Sequence, residues 1–270
     1  MISTLTAAPW AFTFEPLFAL VALAAFGVWL RAWRREPTAS PWWRPACFGG
    51  GLVLVVVALN SPLETIAVDY LVLFHLFQNV IIGDWAPALL LIGLTPAMRA
   101  GLARRGGRPF ALLTRPVVAL PVWLVTWYVV HLGAVYDAAV SSTVLLHLEH
   151  AVLIAIGLLF WWPVLVDVPR SLSTLGRIAY VFAAFVGTVF LGIILTFAPP
   201  IYSHYENLDV RLWGISAAAD QNLGGVLMST EQAVIFGIAI VWLLIRLFRE
   251  EEAAEARLAD EQRAAGLRQY

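Results

Sequence analysis

At 270 residues, 61% of them hydrophobic and 13% charged, with 12 Trp, the chain carries too little polar surface for a water-soluble domain and reads as a polytopic membrane protein. The net charge of −1 gives no footing for a nucleic-acid partner. A single cysteine, Cys47, excludes an internal disulfide and a cysteine-based zinc site.

The first fourteen residues carry no basic stretch, so the first span itself is expected to direct insertion rather than a cleaved signal peptide. Seven apolar stretches follow, near 15–33, 43–60, 67–95, 116–134, 143–166, 177–198 and 224–248. Each has roughly the 18 to 28 residues that a helix needs to cross about 30 Å of hydrocarbon. Loop signals separate them: Glu36-Pro37-Thr38, Asn60-Ser61-Pro62, Arg105-Gly106-Gly107, Val168-Pro169-Arg170 and Pro199-Pro200. The third stretch holds Gly83, Pro87 and Gly93, and Pro87 predicts a kink there because it removes a backbone donor. After Phe248 the sequence turns to Ala, Glu and Arg, which reads as a cytoplasmic helix continuing the seventh span. The expected architecture is therefore an all-α, seven-transmembrane-helix bundle over residues 1–248 with a helical tail over residues 249–270.

Orientation follows from the arginines. All 17 basic residues are Arg, and every one except Arg211 falls after an odd-numbered span. The positive-inside rule then places the N-terminus outside and the C-terminus in the cytoplasm.

In that orientation all five histidines gather in the outer half. His75, His147 and His150 lie one to two turns inside the third and fifth spans, His131 ends the fourth, and His204 sits in the loop after the sixth. An ionisable group at membrane depth costs about 2.5 kcal/mol or more unless it faces the bundle interior and finds a partner. The spacing in His75-Leu76-Phe77-Gln78-Asn79 and in His147-Leu148-Glu149-His150 puts polar groups on one helical face. Two such faces can form one site from His75, His147 and His150. His131 reads equally well as a cap on its helix end, His204 as a solvated loop residue, and Met228 as a core methionine. Asp84, Glu231 and Gln232 are further polar groups within spans, read as contacts between helices.

Imidazole binds Zn, Cu, Fe and Ni, a thioether favours Cu(I), and no thiolate is near. An outward-facing His set with Met228 as a further ligand reads as a copper site. Haem held axially by two His from different helices is the alternative cofactor. No signature of an enzyme is present: there is no phosphate-binding loop after a strand, no Ser-His-Asp order and no paired acid for hydrolysis.

Several words of the sequence resemble one family. Asn60-Ser61-Pro62-Leu63, His75 to Asn79, Ala86 to Gly93 with Pro96, His131 to Tyr136-Asp137, His147 to His150, Gly157 to Pro163, Tyr202 to Tyr205, and Asp220-Gln221, Gly224-Gly225 and Met228 together resemble the polytopic CtaG-type cytochrome c oxidase assembly factors over about residues 50 to 245. The resemblance implies a multi-pass protein of the bacterial plasma membrane that handles copper for a haem-copper oxidase. Its partners would be the oxidase subunits, a periplasmic or extracellular copper donor and the lipid bilayer. It implies metal ligation by His75, His147, His150, His131 and Met228, with Gln78, Asn79, Asp137 and Asp220 supporting the site or lining its mouth. The chain departs from the family pattern at Leu76, Asn79 and Ser229, where Met, His and Trp are usual. Three readings stand at this point: a copper-binding assembly factor, a haem-carrying electron-transfer protein, and a metal-free scaffold for oxidase subunits.

Overall fold

The computed structural model describes residues 8–36 and 41–267. Pro37 and Thr38 of the first expected loop, and the last three residues of the tail, lie outside them. Every regular element among the described residues is helical: α1 (Pro16–Trp33), α2 (Trp43–Leu59), α3 (Pro62–Asp69), α4 (Val72–Val80), a π turn (Ile81–Trp85), α5 (Ala86–Gly93), α6 (Pro96–Leu113), α7 (Pro116–Val130), α8 (Gly133–Val140), α9 (Thr143–Leu165), α10 (Thr174–Phe197), α11 (Ser203–Glu206), a 3-10 turn (Leu212–Gly214) and α12 (Ala217–Leu267).

Helix starts follow local chemistry. Ser61, Thr95 and Ser173 cap α3, α6 and α10 by accepting from the amides of Leu63, Met98 and Gly176, which satisfies donors that have no partner within the helix. Proline opens α1, α3, α6 and α7, where its missing N–H costs nothing.

Five described helices are long and apolar enough to cross a membrane, and the count becomes seven if each of two bent pairs is one span. The pairs are α2 with α3, bent by 46°, and α6 with α7, bent by 72°. Both bends fall at a proline, which pushes the preceding residue out of helical conformation. The stretch 96–113, read from sequence as a loop, is helical instead, and its one break is Gly107 at φ +55°, a backbone angle that favours glycine. The 51 residues of α12 extend roughly 75 Å at 1.5 Å per residue. That is more than twice the hydrocarbon thickness, so its charged end projects beyond any bilayer.

The third span, Val72–Gly93, is the mostly buried centre of the bundle, and α1 lies at its rim. The kink expected at Pro87 takes the form of the π turn one step earlier. Proline has no N–H to offer the Gly83 carbonyl, and α9 closes onto that carbonyl through Gly157. A Cβ at Gly157 would lie 2.0 Å from Gly83 O. Close approach of backbones through small residues is how helices associate in lipid, and the same device recurs elsewhere. Gly192 of α10 meets Ser229 of α12, with 1.9 Å from a Cβ on Gly192 to Ser229 Oγ, and Gly224 of α12 meets Leu76 Cδ1 at 2.5 Å. Two of the departures from the family pattern, Ser229 and Leu76, are therefore packing residues between α12 and its neighbours.

Gly157→Ala should force α9 away from the third span and lower the thermal unfolding midpoint in detergent, at a cost of about 1–3 kcal/mol. Gly27→Ala, whose added Cβ meets nothing within 4 Å, should not lower it.

Candidate functional site: a buried imidazole pocket

Asp220 sets the register of the pocket. The amides of Val72 and Leu73, the first two of α4, both donate to its carboxylate at 2.9 Å. A carboxylate from α12 thereby caps α4 and fixes His75 one turn further on.

His75 is fully buried. Tyr205 Oη donates its one hydrogen to Ala67 O at 2.5 Å, so at 3.2 Å from His75 Nδ1 it accepts. The neutral ring then carries its lone pair at Nε2. That nitrogen has no hydrogen-bond partner and lies 3.6 Å from Glu149 Oε1. Glu149 is held from α4 by Asn79, whose Nδ2 donates to Oε1 at 3.0 Å.

His150 enters from α9, its ring centroid 6.2 Å from that of His75. Neither of its ring nitrogens has a partner, although the residue is 1% exposed. His131 ends α7 as the sequence suggested: Nδ1 donates to Trp127 O at 2.7 Å, which again leaves a lone pair on an unpartnered, buried Nε2. Tyr136 lies between, 4.6 Å from the His75 ring and 6.4 Å from that of His131. A buried polar group left unsatisfied costs about 1–3 kcal/mol. Four unpaired imidazole nitrogens in one region are therefore a concentrated cost.

The structure separates other expected site residues from this pocket. His147 turns to the bundle rim, where Nε2 meets Glu15 at 2.5 Å with 24% of its side chain exposed; the phenyl ring of Phe18 contacts both His147 and His150. The single site of His75, His147 and His150 is thus His75 and His150 without His147. Gln78 faces α2 and α3, donating to Ala58 O at 2.9 Å and to Glu64. Asp137 anchors the start of α11, accepting from the amides of Ser203 at 3.0 Å and His204 at 3.1 Å. His204 is not free in solvent, since its Nε2 donates to Val68 O at 3.0 Å. Met228 is buried in the apolar core.

The region expected to open as a mouth is a closed aromatic roof. Tyr136, Tyr202 and Tyr205 are all buried, with the Tyr136 ring 4.2 Å from Tyr202 and 6.0 Å from Tyr205. Among the described residues, no three His, Cys, Asp or Glu side chains converge closely enough to hold a metal ion as they stand. The pocket offers donors without an assembled metal cage.

Sequence reasoning missed Glu149, Tyr136 and Tyr205 as members of the pocket. Glu149 carried the usable signal, an acid beside His150 inside an apolar span.

An all-helical membrane bundle with a buried His-Glu-Tyr pocket opposite its arginine-rich end defines a polytopic membrane protein built around an internal polar site. The family model for the cytochrome c oxidase caa3 assembly factor (Caa3_CtaG) matches residues 24–250, and the chain belongs to that family. No curated protein and no solved structure matches it significantly.

Asp220→Ala should strand the Val72 and Leu73 amides and lower thermal stability by about 1–3 kcal/mol, with a smaller loss for Asp220→Asn, which keeps one acceptor. Unfolding midpoints of the purified proteins in detergent check both.

Proposed function

We propose that this oxidase assembly factor handles copper as cargo, taking it at His75, His150 and His131, with Glu149 supplying the counter-charge. The observation that carries this reading is the set of buried, unpartnered imidazole nitrogens beside a carboxylate positioned by Asn79. Imidazole suits copper, and a carboxylate offsets the charge of a cation brought into a poorly solvated space. His147 and Met228 have no ligand role in this proposal. Asn79 orients Glu149 instead of binding metal.

The arginine distribution supports an orientation with the pocket toward the outer face and α12 ending in the cytoplasm. Copper would then arrive from an extracytoplasmic donor and leave for the oxidase subunits through the tyrosine roof. Tyr205 is the natural moving part, since it holds His75 and Ala67 at once.

Competition of the purified protein with a Cu(I) chelator tests the reading. His75→Ala and His150→Ala should each weaken binding at least about tenfold, near 1.4 kcal/mol, and should reduce oxidase assembly in cells that lack the native protein. His147→Ala should leave copper affinity unchanged, because that side chain is held at the bundle rim by Glu15. Equal affinity for wild type, His75→Ala and His150→Ala would overturn the reading.

A further inference from the structure

A second polar cluster lies deeper in the bundle and is distinct from the imidazole pocket. Asp84 stands in the π turn, at the middle of the Val72–Gly93 span. Nine residues separate it from His75, about 14 Å along a helix. It is completely buried, and neither carboxyl oxygen has a hydrogen-bond partner. From α12, Glu231 comes within electrostatic reach of it and the Gln232 amide lies beside it. Glu231 accepts through Oε1 from the Trp85 indole N–H, leaving Oε2 unpartnered. Gln232 is 1% exposed, and neither end of its amide is paired.

Among the described residues, the surroundings supply no cation. At this level α9 contributes Gly157, packed on the Gly83 carbonyl and Pro87, and α7 contributes the Trp127 ring against Gly83. On the α2 side Gly51 packs against Leu90 and the Ala86 carbonyl. Among the described residues, the titratable group that bears on Asp84 is Glu231, with the neutral Gln232 beside it.

Two carboxylates cannot both stay ionised in such a place without a positive partner, because each charge loses its hydration and each repels the other. A π turn within an α-helical span is a feature found frequently at functional sites, and an ionisable residue within a membrane span is itself a mark of function.

We propose that Asp84 and Glu231 form a proton-binding carboxyl pair at the centre of the membrane, sharing at least one proton between them, with Gln232 and the Trp85 indole as the neutral groups that orient it. The proton sits on a carboxyl oxygen of one acid and can be donated to the other. The bundle thereby holds a site that takes up or releases a proton at mid-depth, separate from the imidazole pocket and independent of whether that pocket binds copper.

Infrared spectroscopy of the full-length protein in lipid nanodiscs at neutral pH tests the proposal. Wild type should show a C=O stretch of a protonated carboxylic acid that shifts down on exchange into D2O. A component of that band should shift in Asp84→Asn and in Glu231→Gln, and should be lost in the double variant. Dicyclohexylcarbodiimide, which attacks protonated carboxyls in apolar surroundings, should leave its adduct on Asp84 or Glu231 of the unaltered protein, a readout that needs no variant to fold. Absence of both the band and the adduct in wild type, or a band unchanged in the double variant, would overturn the proposal.

Discussion

Hydrocarbon offers no hydrogen bonds, and that constraint organises this protein. Several of its buried polar side chains answer to it by binding the backbone where a helix ends. Asp220 takes the two free amides of α4. Gln221 donates to the carbonyls of Leu195, Ala198 and Pro199 and accepts from the Ile201 amide at 2.8 Å, closing the end of α10. Arg177, also buried, donates to Val164 O at 2.8 Å and pairs with Asp167, closing the end of α9. Each joins two helices and leaves little unsatisfied. Against that background, the unpaired nitrogens of His75, His131 and His150 and the unpaired oxygens of Asp84 are buried titratable atoms left without a partner, as are Glu231 Oε2 and the Tyr136 hydroxyl. The same bundle that satisfies a glutamine four times leaves these groups unmet, which is the physical reason to place function there.

Those two clusters lie on the same span, and the π turn and Pro87 bear on both. The third span is the mostly buried element, so displacing it disturbs contacts with α2, α9 and α12 together. Gly157 and Gly224 let α9 and α12 approach it closely. Small residues at those crossings bring Glu149 and His150 within reach of His75, and Glu231 within reach of Asp84. The tyrosine roof ties the pocket to the backbone around it: its hydroxyls hold the His75 ring and two backbone carbonyls, Ala67 O and His131 O.

Much of this was legible in the sequence. Apolar length located five spans, or up to seven if each bent pair is one span, Asn60-Ser61-Pro62 marked the break between α2 and α3, and helical spacing put His75 and His150 on faces that could meet. That spacing failed for His147 and Gln78. Residues three apart on a helix diverge by about 60°, enough for each to choose a different neighbour. Glu15, placed just before α1, claims His147, and Glu64 of α3 claims Gln78. Neither partner is visible from periodicity, because both come from distant chain. Glu149 was missed for the converse reason. It is adjacent to His150 and faces elsewhere on a helical wheel, yet the packing of α9 against the third span brings it to within 3.6 Å of His75. The helical stretch α6 was hidden by Arg105-Gly106-Gly107, which reads as a loop although only Gly107 leaves helical geometry.

Copper K-edge X-ray absorption of the Cu(I)-loaded, full-length protein addresses the central claim most directly. The account predicts nitrogen scatterers with the outer-ring pattern of imidazole, no sulfur contribution from Met228, and loss of the imidazole pattern in the His75→Ala/His150→Ala double variant. A sulfur-dominated spectrum, or an imidazole pattern that persists in that double variant and disappears only with His147→Ala, would contradict it.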